Sequence, residues 1–180
     1  MKLRSEQYEF LKGEVVYLFE RHDIRCIPIN GFELAYKMRI TLIPYSAITR
    51  NKRNAAKSIS KDGFYFEDLQ GKDFIYYNDN SPYKRMNMTI LHEIAHCVLD
   101  HNGESEEEEA EANFFAKYAA APPPLVHLIR PQSAKHIEEV FCLSYTAAVN
   151  AFNYYHKWLE YSGNCYKNYE IRMLRLFQAS

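Results

Sequence analysis

His92-Glu93-Ile94-Ala95-His96 constrains this chain more than any other stretch. Two histidines four apart stand one above the other on a helix face, so this segment has to be helical for them to act together. Both imidazoles can then reach one tetrahedral metal ion. The glutamate beside the first histidine is placed to take a proton from a water held there. The pattern fixes only three residues, so its meaning depends on a helix to carry it and a third ligand to follow.

The helix has its own signals. Ser81-Pro82 opens it, with Ser81 as N-cap and Pro82 at the first helical position, and Asn102-Gly103 ends it beyond His101. A second helix starts at Ser105, where Ser105 and Glu108 have the spacing of a capping box, and runs to Pro122-Pro123-Pro124. Upstream, 3–22 is amphipathic at helical spacing, and Asn30 caps a short helix to Met38. Arg39–Ile43 reads as a strand before Pro44. Residues 46–60 read as a helix carrying Arg50, Lys52, Arg53 and Lys57, more readily a solvated basic face than a patch for nucleic acid or an acidic partner. Gly63–Glu67 and Asp73–Tyr77 form a hairpin around Gln70-Gly71. After the prolines the chain is helical: 125–129, a close pair at 133–142 and 144–160, and a last helix over 166–177.

A catalytic zinc site takes three protein ligands and leaves one position open. A third histidine ten residues after the first would need a glycine at the seventh; those positions hold Asn102 and Leu99, and His101 points elsewhere. The remaining donors are Glu106 to Glu109 and Glu111. Glu109, Ala112, Asn113 and Ala116 share one helix face, where small residues permit close approach, so Glu109 is the expected ligand. Asn113, one turn on, is placed to hydrogen-bond that ligand. Glu104, Glu106, Glu107 and Glu108 read as a charged first turn.

His92-Glu93-Ile94-Ala95-His96, then Glu109-Ala110-Glu111-Ala112-Asn113-Phe114-Phe115-Ala116 and the stop at Pro122, resembles the ImmA/IrrE family of metallo-endopeptidases. The likeness extends from about residue 40 to 160. It takes in Tyr76-Tyr77-Asn78-Asp79, Ser81-Pro82 and Arg85 upstream, and Ile137–Ser144 downstream. Ala95 stands where the family usually has glycine, and so does Cys142 in the later turn.

The resemblance implies an α+β fold: a zincin-like metallopeptidase core, with a small sheet and an active-site helix, and a helical C-terminal part resembling a helix-turn-helix. It divides the chain at residues 1–124 and 125–180. It also implies a zinc endopeptidase of the bacterial cytoplasm whose protein substrate is a helix-turn-helix repressor encoded nearby. The expected mechanism is hydrolysis with His92, His96 and Glu109 on Zn2+ and Glu93 as general base. The strand Phe74, Ile75, Tyr76 and Tyr77 is the candidate for pairing with a substrate peptide. No oxyanion donor is assigned from the sequence: Tyr118, His101 and His127 are open to that role, and each reads more readily as a packed or exposed bystander.

Two other functions fit parts of the chain. One is an inactive peptidase fold that binds a partner, against which the intact Glu93 argues. The other is a DNA-binding regulator acting through 133–160. Its second helix has only His156 and Lys157 as basic residues, where phosphate contacts need several Lys or Arg. A net charge of -1 supplies no general attraction for nucleic acid or anionic lipid. Cys26, Cys97, Cys142 and Cys165 form no CxxC pair, and reduced thiols are expected. The start of the chain does not read as a signal peptide, and no apolar run approaches membrane-spanning length.

Overall fold

The computed structural model describes residues 2–101, 105–162 and 165–178. Among these the fold is α+β, with nine α-helices and one three-stranded sheet. The chain divides into two compact units. The first is Asn30–Ala116, and the second joins Lys2–Ile29 to Lys117–Ser180. The division expected at residue 124 puts the N-terminal helix with the peptidase part. In the structure that helix belongs with the C-terminal helices, because it packs along the last of them.

In the first unit, α2 (Gly31–Lys37) starts at Asn30, whose Oδ1 accepts from the N–H groups of Phe32 at 3.0 Å and Glu33 at 3.3 Å. This is the expected cap. Strand β1 (Thr41–Pro44) begins two residues later than expected, because Arg39 takes a left-handed φ of 65° at the end of α2. A short 3-10 turn (Tyr45–Ala47) leads to α3 (Arg50–Ile59). On α3, Arg53 donates to the carbonyls of Tyr45, Ser46 and Ile48, so one of the four basic residues is spent on local structure.

Strands β2 (Gly63–Glu67) and β3 (Asp73–Tyr77) form the expected hairpin, with Tyr65 opposite Ile75. Gly71 supplies the left-handed residue in its turn, φ 73°. The strand order is β1-β3-β2, with β1 parallel and β2 antiparallel to β3. Strand β3 is therefore central, and both of its edges are occupied by neighbours.

Helix α4 (Tyr83–Val98) buries Asn87, Ile90, Leu91, Ile94 and Ala95, a face at spacings of three and four. It packs on β2, β3 and α2. Two close approaches position it. Asn87, itself buried, accepts the Gly31 N–H at 2.7 Å. A Cβ on Gly63 would lie 2.7 Å from both Thr89 Cγ2 and the Tyr76 carbonyl, so glycine lets β2 lie against the helix.

Pro82 occupies the cap position, with an extended ψ of 147°, and the helix begins at Tyr83. Ser81 thus precedes the cap. Asn102-Gly103, expected to end α4, lie outside the described residues. Helix α5 (Glu106–Ala120) has the expected capping box: Glu108 N–H donates to Ser105 Oγ at 3.1 Å, and Ser105 N–H to Glu108 Oε2 at 3.0 Å.

The second unit is helical: α1 (Ser5–Arg21), α6 (Pro123–Leu128), α7 (Ala134–Val140), α8 (Tyr145–Ser162) and α9 (Asn168–Gln178). Helix α1 is held to α9 by the Phe19–Phe177 edge contact, by the ion pairs Glu9–Lys167 and Glu20–Arg172, and by Tyr169 Oη donating to Glu9 at 2.9 Å. Helices α7 and α8 pack together around a tight turn. Cys142 there has φ 52°, which explains why glycine suits the position. All four cysteines are free. No helix among the described residues is long and apolar enough to cross a membrane.

Candidate metal centre

Helix α4 presents His92 and His96 one turn apart, with their Nε2 atoms 3.1 Å from each other. Glu109, in the first turn of α5, brings Oε2 to 3.5 Å from His92 Nε2 and Oε1 to 3.4 Å from His96 Nε2. These three side chains form a group able to hold a metal ion. The two histidines are mostly buried, whereas the Glu109 side chain is 49% exposed, so the group is open to solvent on the carboxylate side. Of the glutamates considered from sequence, Glu109 is the one brought to both rings.

The donor set fits zinc. Bonds of about 2.0–2.1 Å in a tetrahedron require neighbouring ligand atoms roughly 3.3 Å apart. The spacings of 3.1, 3.4 and 3.5 Å lie around that value. Two imidazole nitrogens and one carboxylate oxygen would hold a tetrahedral ion with one position open.

Glu93 follows His92 on the helix but turns into the protein, where it is 7% exposed. Its Oε2 accepts the peptide N–H of Tyr65 at 2.8 Å. Burial pushes the carboxyl up to about 7, the Tyr65 N–H opposes this, and the negative charge of Glu109 adds to it. A carboxylate that exchanges its proton near neutrality can both take and return one at physiological pH. His96 is moved the other way. Burial, and then the neighbouring His92, lower it to about 4, so its ring is neutral and has a lone pair to offer at pH 7.

Behind His96 lies a support not expected from sequence. His101 Nδ1 is 3.0 Å from His96 Nδ1, and His101 Nε2 is 3.2 Å from Glu111 Oε2. His101 is thus engaged on both ring nitrogens and is not an oxyanion donor. His127, with Nδ1 2.9 Å from Tyr155 Oη, and Tyr118 both belong to the second unit.

Two further expectations are corrected. Asn113 is exposed, and its Nδ2 donates to the main-chain carbonyl of Glu109 at 2.7 Å, so it braces the helix turn and not the ligand carboxylate. Phe74, Ile75, Tyr76 and Tyr77 form the central strand, whose main-chain groups are paired on both sides, so a substrate strand has no edge to join there. Sequence reasoning also missed the Tyr65 N–H. A main-chain donor leaves no mark in residue identity, and only the hairpin register places it beside Glu93.

The family model of the IrrE N-terminal-like domain, a peptidase family, matches residues 35–153, well over half of the chain. No curated protein matches, and no solved structure does.

Proposed function

Because the chain belongs to the IrrE N-terminal-like domain family of peptidases, we propose that it is a zinc-dependent endopeptidase acting on a protein substrate. The observation that carries this reading is the convergence of His92, His96 and Glu109 on one point, with the buried Glu93 beside it. When bound there, a zinc ion supplies Lewis acidity that makes water a usable nucleophile near neutral pH.

The protein's residues account for the remaining steps. Tyr65 N–H holds Glu93 Oε2 and fixes the carboxylate's orientation. Glu93 takes the proton of the attacking water. It then returns that proton to the amine nitrogen released when the peptide bond breaks. Its raised proton affinity, about 7, suits both transfers.

With β3 enclosed, a substrate strand is left the outer edges of β1 and β2. On β2 the N–H of Tyr65 is already taken by Glu93 at 2.8 Å and that of Gly63 by Ser60 Oγ at 3.2 Å, so these two donors are not what such a strand would pair with. The family resemblance supports a helix-turn-helix repressor as substrate, and four free thiols suit the cytoplasm as location. The test is co-incubation of the zinc-loaded protein with a repressor encoded beside it, followed by mass analysis of the fragments. Cleavage by the wild type and none by Glu93→Gln supports the proposal. Intact repressor with both, while Glu93→Gln retains full biological activity, replaces hydrolysis with binding.

A further inference from the structure

We propose that His101 and Glu111 are positioning residues for His96: together they hold its ring in the one tautomer whose Nε2 lone pair faces His92 and Glu109. The inference rests on the metal-site reading above and extends it to two residues that touch no reacting atom.

At the end of α4, His101 N–H donates to the His96 carbonyl at 3.1 Å, and Asp100 N–H approaches the Cys97 carbonyl at 3.4 Å. These are the two bonds of a Schellman turn, with Asp100 at φ 52° in the left-handed place usually held by glycine. The turn folds the chain back, so that the side chain following it lies against His96. The ring centroids are 5.0 Å apart, at 71°. The His101 side chain is 5% exposed and that of Glu111 19%, so water competes little for these bonds.

Proton counting then gives the tautomers. A neutral imidazole has one N–H and one lone pair, and an ionised carboxylate only accepts. With a single ring hydrogen on His101, Glu111 Oε2 at 3.2 Å from its Nε2 places that hydrogen on Nε2. Its Nδ1 is left as an acceptor, 3.0 Å from His96 Nδ1, which must donate. His96 Nε2 then carries the lone pair, and it is this atom that lies 3.1 Å from His92 Nε2 and 3.4 Å from Glu109 Oε1. The chain of bonds runs from Glu111 through His101 to His96, so the ligand atom is chosen before any ion arrives. Partners of this kind around a ligating histidine are worth about 10- to 100-fold in metal affinity.

The experiment measures Zn2+ affinity by competition with a chromophoric chelator. It compares the wild type with His101→Ala, His101→Gln and Glu111→Gln, and reads the His96 tautomer from ring 15N shifts in each metal-free protein. The expected loss for His101→Ala is about 10- to 100-fold. His101→Gln, whose amide oxygen can accept from His96 Nδ1, recovers part of it. Glu111→Gln, which keeps His101 and makes the smallest change of shape, mixes the His96 tautomers even where His101→Ala fails to fold. Equal affinities and an unchanged His96 tautomer in the folded variants overturn the inference alone. A wild type that binds no stoichiometric Zn2+ overturns the metal-site reading beneath it.

Discussion

The peptide N–H of Tyr65 donates to Glu93 Oε2 at 2.8 Å, so strand β2 holds the carboxylate that helix α4 delivers. The bond partly offsets a burial that leaves Glu93 titrating at about 7, against an ordinary value of 4.5. One main-chain donor is not enough to restore what water gave the charge.

The first prediction concerns pH and the metal-free protein. The folded form keeps its Glu93 proton at a higher pH than the unfolded chain does. Stability therefore falls as pH rises from about 4.5 to about 7, and levels off above that. Glu93→Gln lacks this titration and can still accept from Tyr65. It is expected to exceed the metal-free wild type at pH 8 by about 1–3 kcal/mol more than it does at pH 4.5. Urea unfolding at a series of pH values, after chelation, checks it. Parallel stability curves would show that Glu93 does not titrate in this range.

A second prediction follows from the exposure of Glu109. Its side chain is half in solvent, so Glu109→Gln should leave the fold intact while removing the carboxylate of the His92, His96 and Glu109 group. The wild type should gain on the order of 2.7 kcal/mol of stability from zinc at a hundredfold excess over Kd. Glu109→Gln and His92→Ala should gain little at the same concentration. Thermal unfolding with and without Zn2+ measures this, and an equal shift in all three proteins would move the metal elsewhere.

How much of this was legible in the sequence depends on distance along the chain. The Asn30 cap, the Ser105–Glu108 capping box and the His92/His96 pair are local, and the spacing of the residues determines them. Glu109 was reachable because the next helix starts nearby and small residues mark one face. The order β1-β3-β2 was not legible, because a parallel crossover between β1 and β3 leaves no trace in either strand's pattern. That is why Phe74–Tyr77 looked available for a substrate. His101 and Glu111 were hidden for a related reason. Their meeting depends on a left-handed turn at Asp100, where the chain has no glycine to announce it.

Gly63 supports a third prediction. A Cβ there would sit 2.7 Å from the Tyr76 carbonyl, a main-chain atom of the paired strand that cannot swing aside, and 2.7 Å from Thr89 on α4. Gly63→Ala must push β2 away from α4 or from β3. The expected cost is about 1–3 kcal/mol, read by chemical denaturation. Because β2 also carries the Tyr65 N–H, the Glu93 titration should move as well. A variant as stable as the wild type would mean that the strand has room the geometry denies.

The turn at Asp100 yields the last prediction. A left-handed φ of 52° costs most residues about 1–2 kcal/mol, costs glycine nothing, and costs aspartate less than alanine. Asp100→Ala should therefore destabilise the end of α4 by roughly 1 kcal/mol and loosen His101 from His96. Asp100→Gly should keep the turn and the His96 tautomer. Paired measurements of unfolding and of Zn2+ affinity separate the two variants. If Asp100→Ala matches Asp100→Gly in both, then the turn is not what places His101 behind the metal ligand.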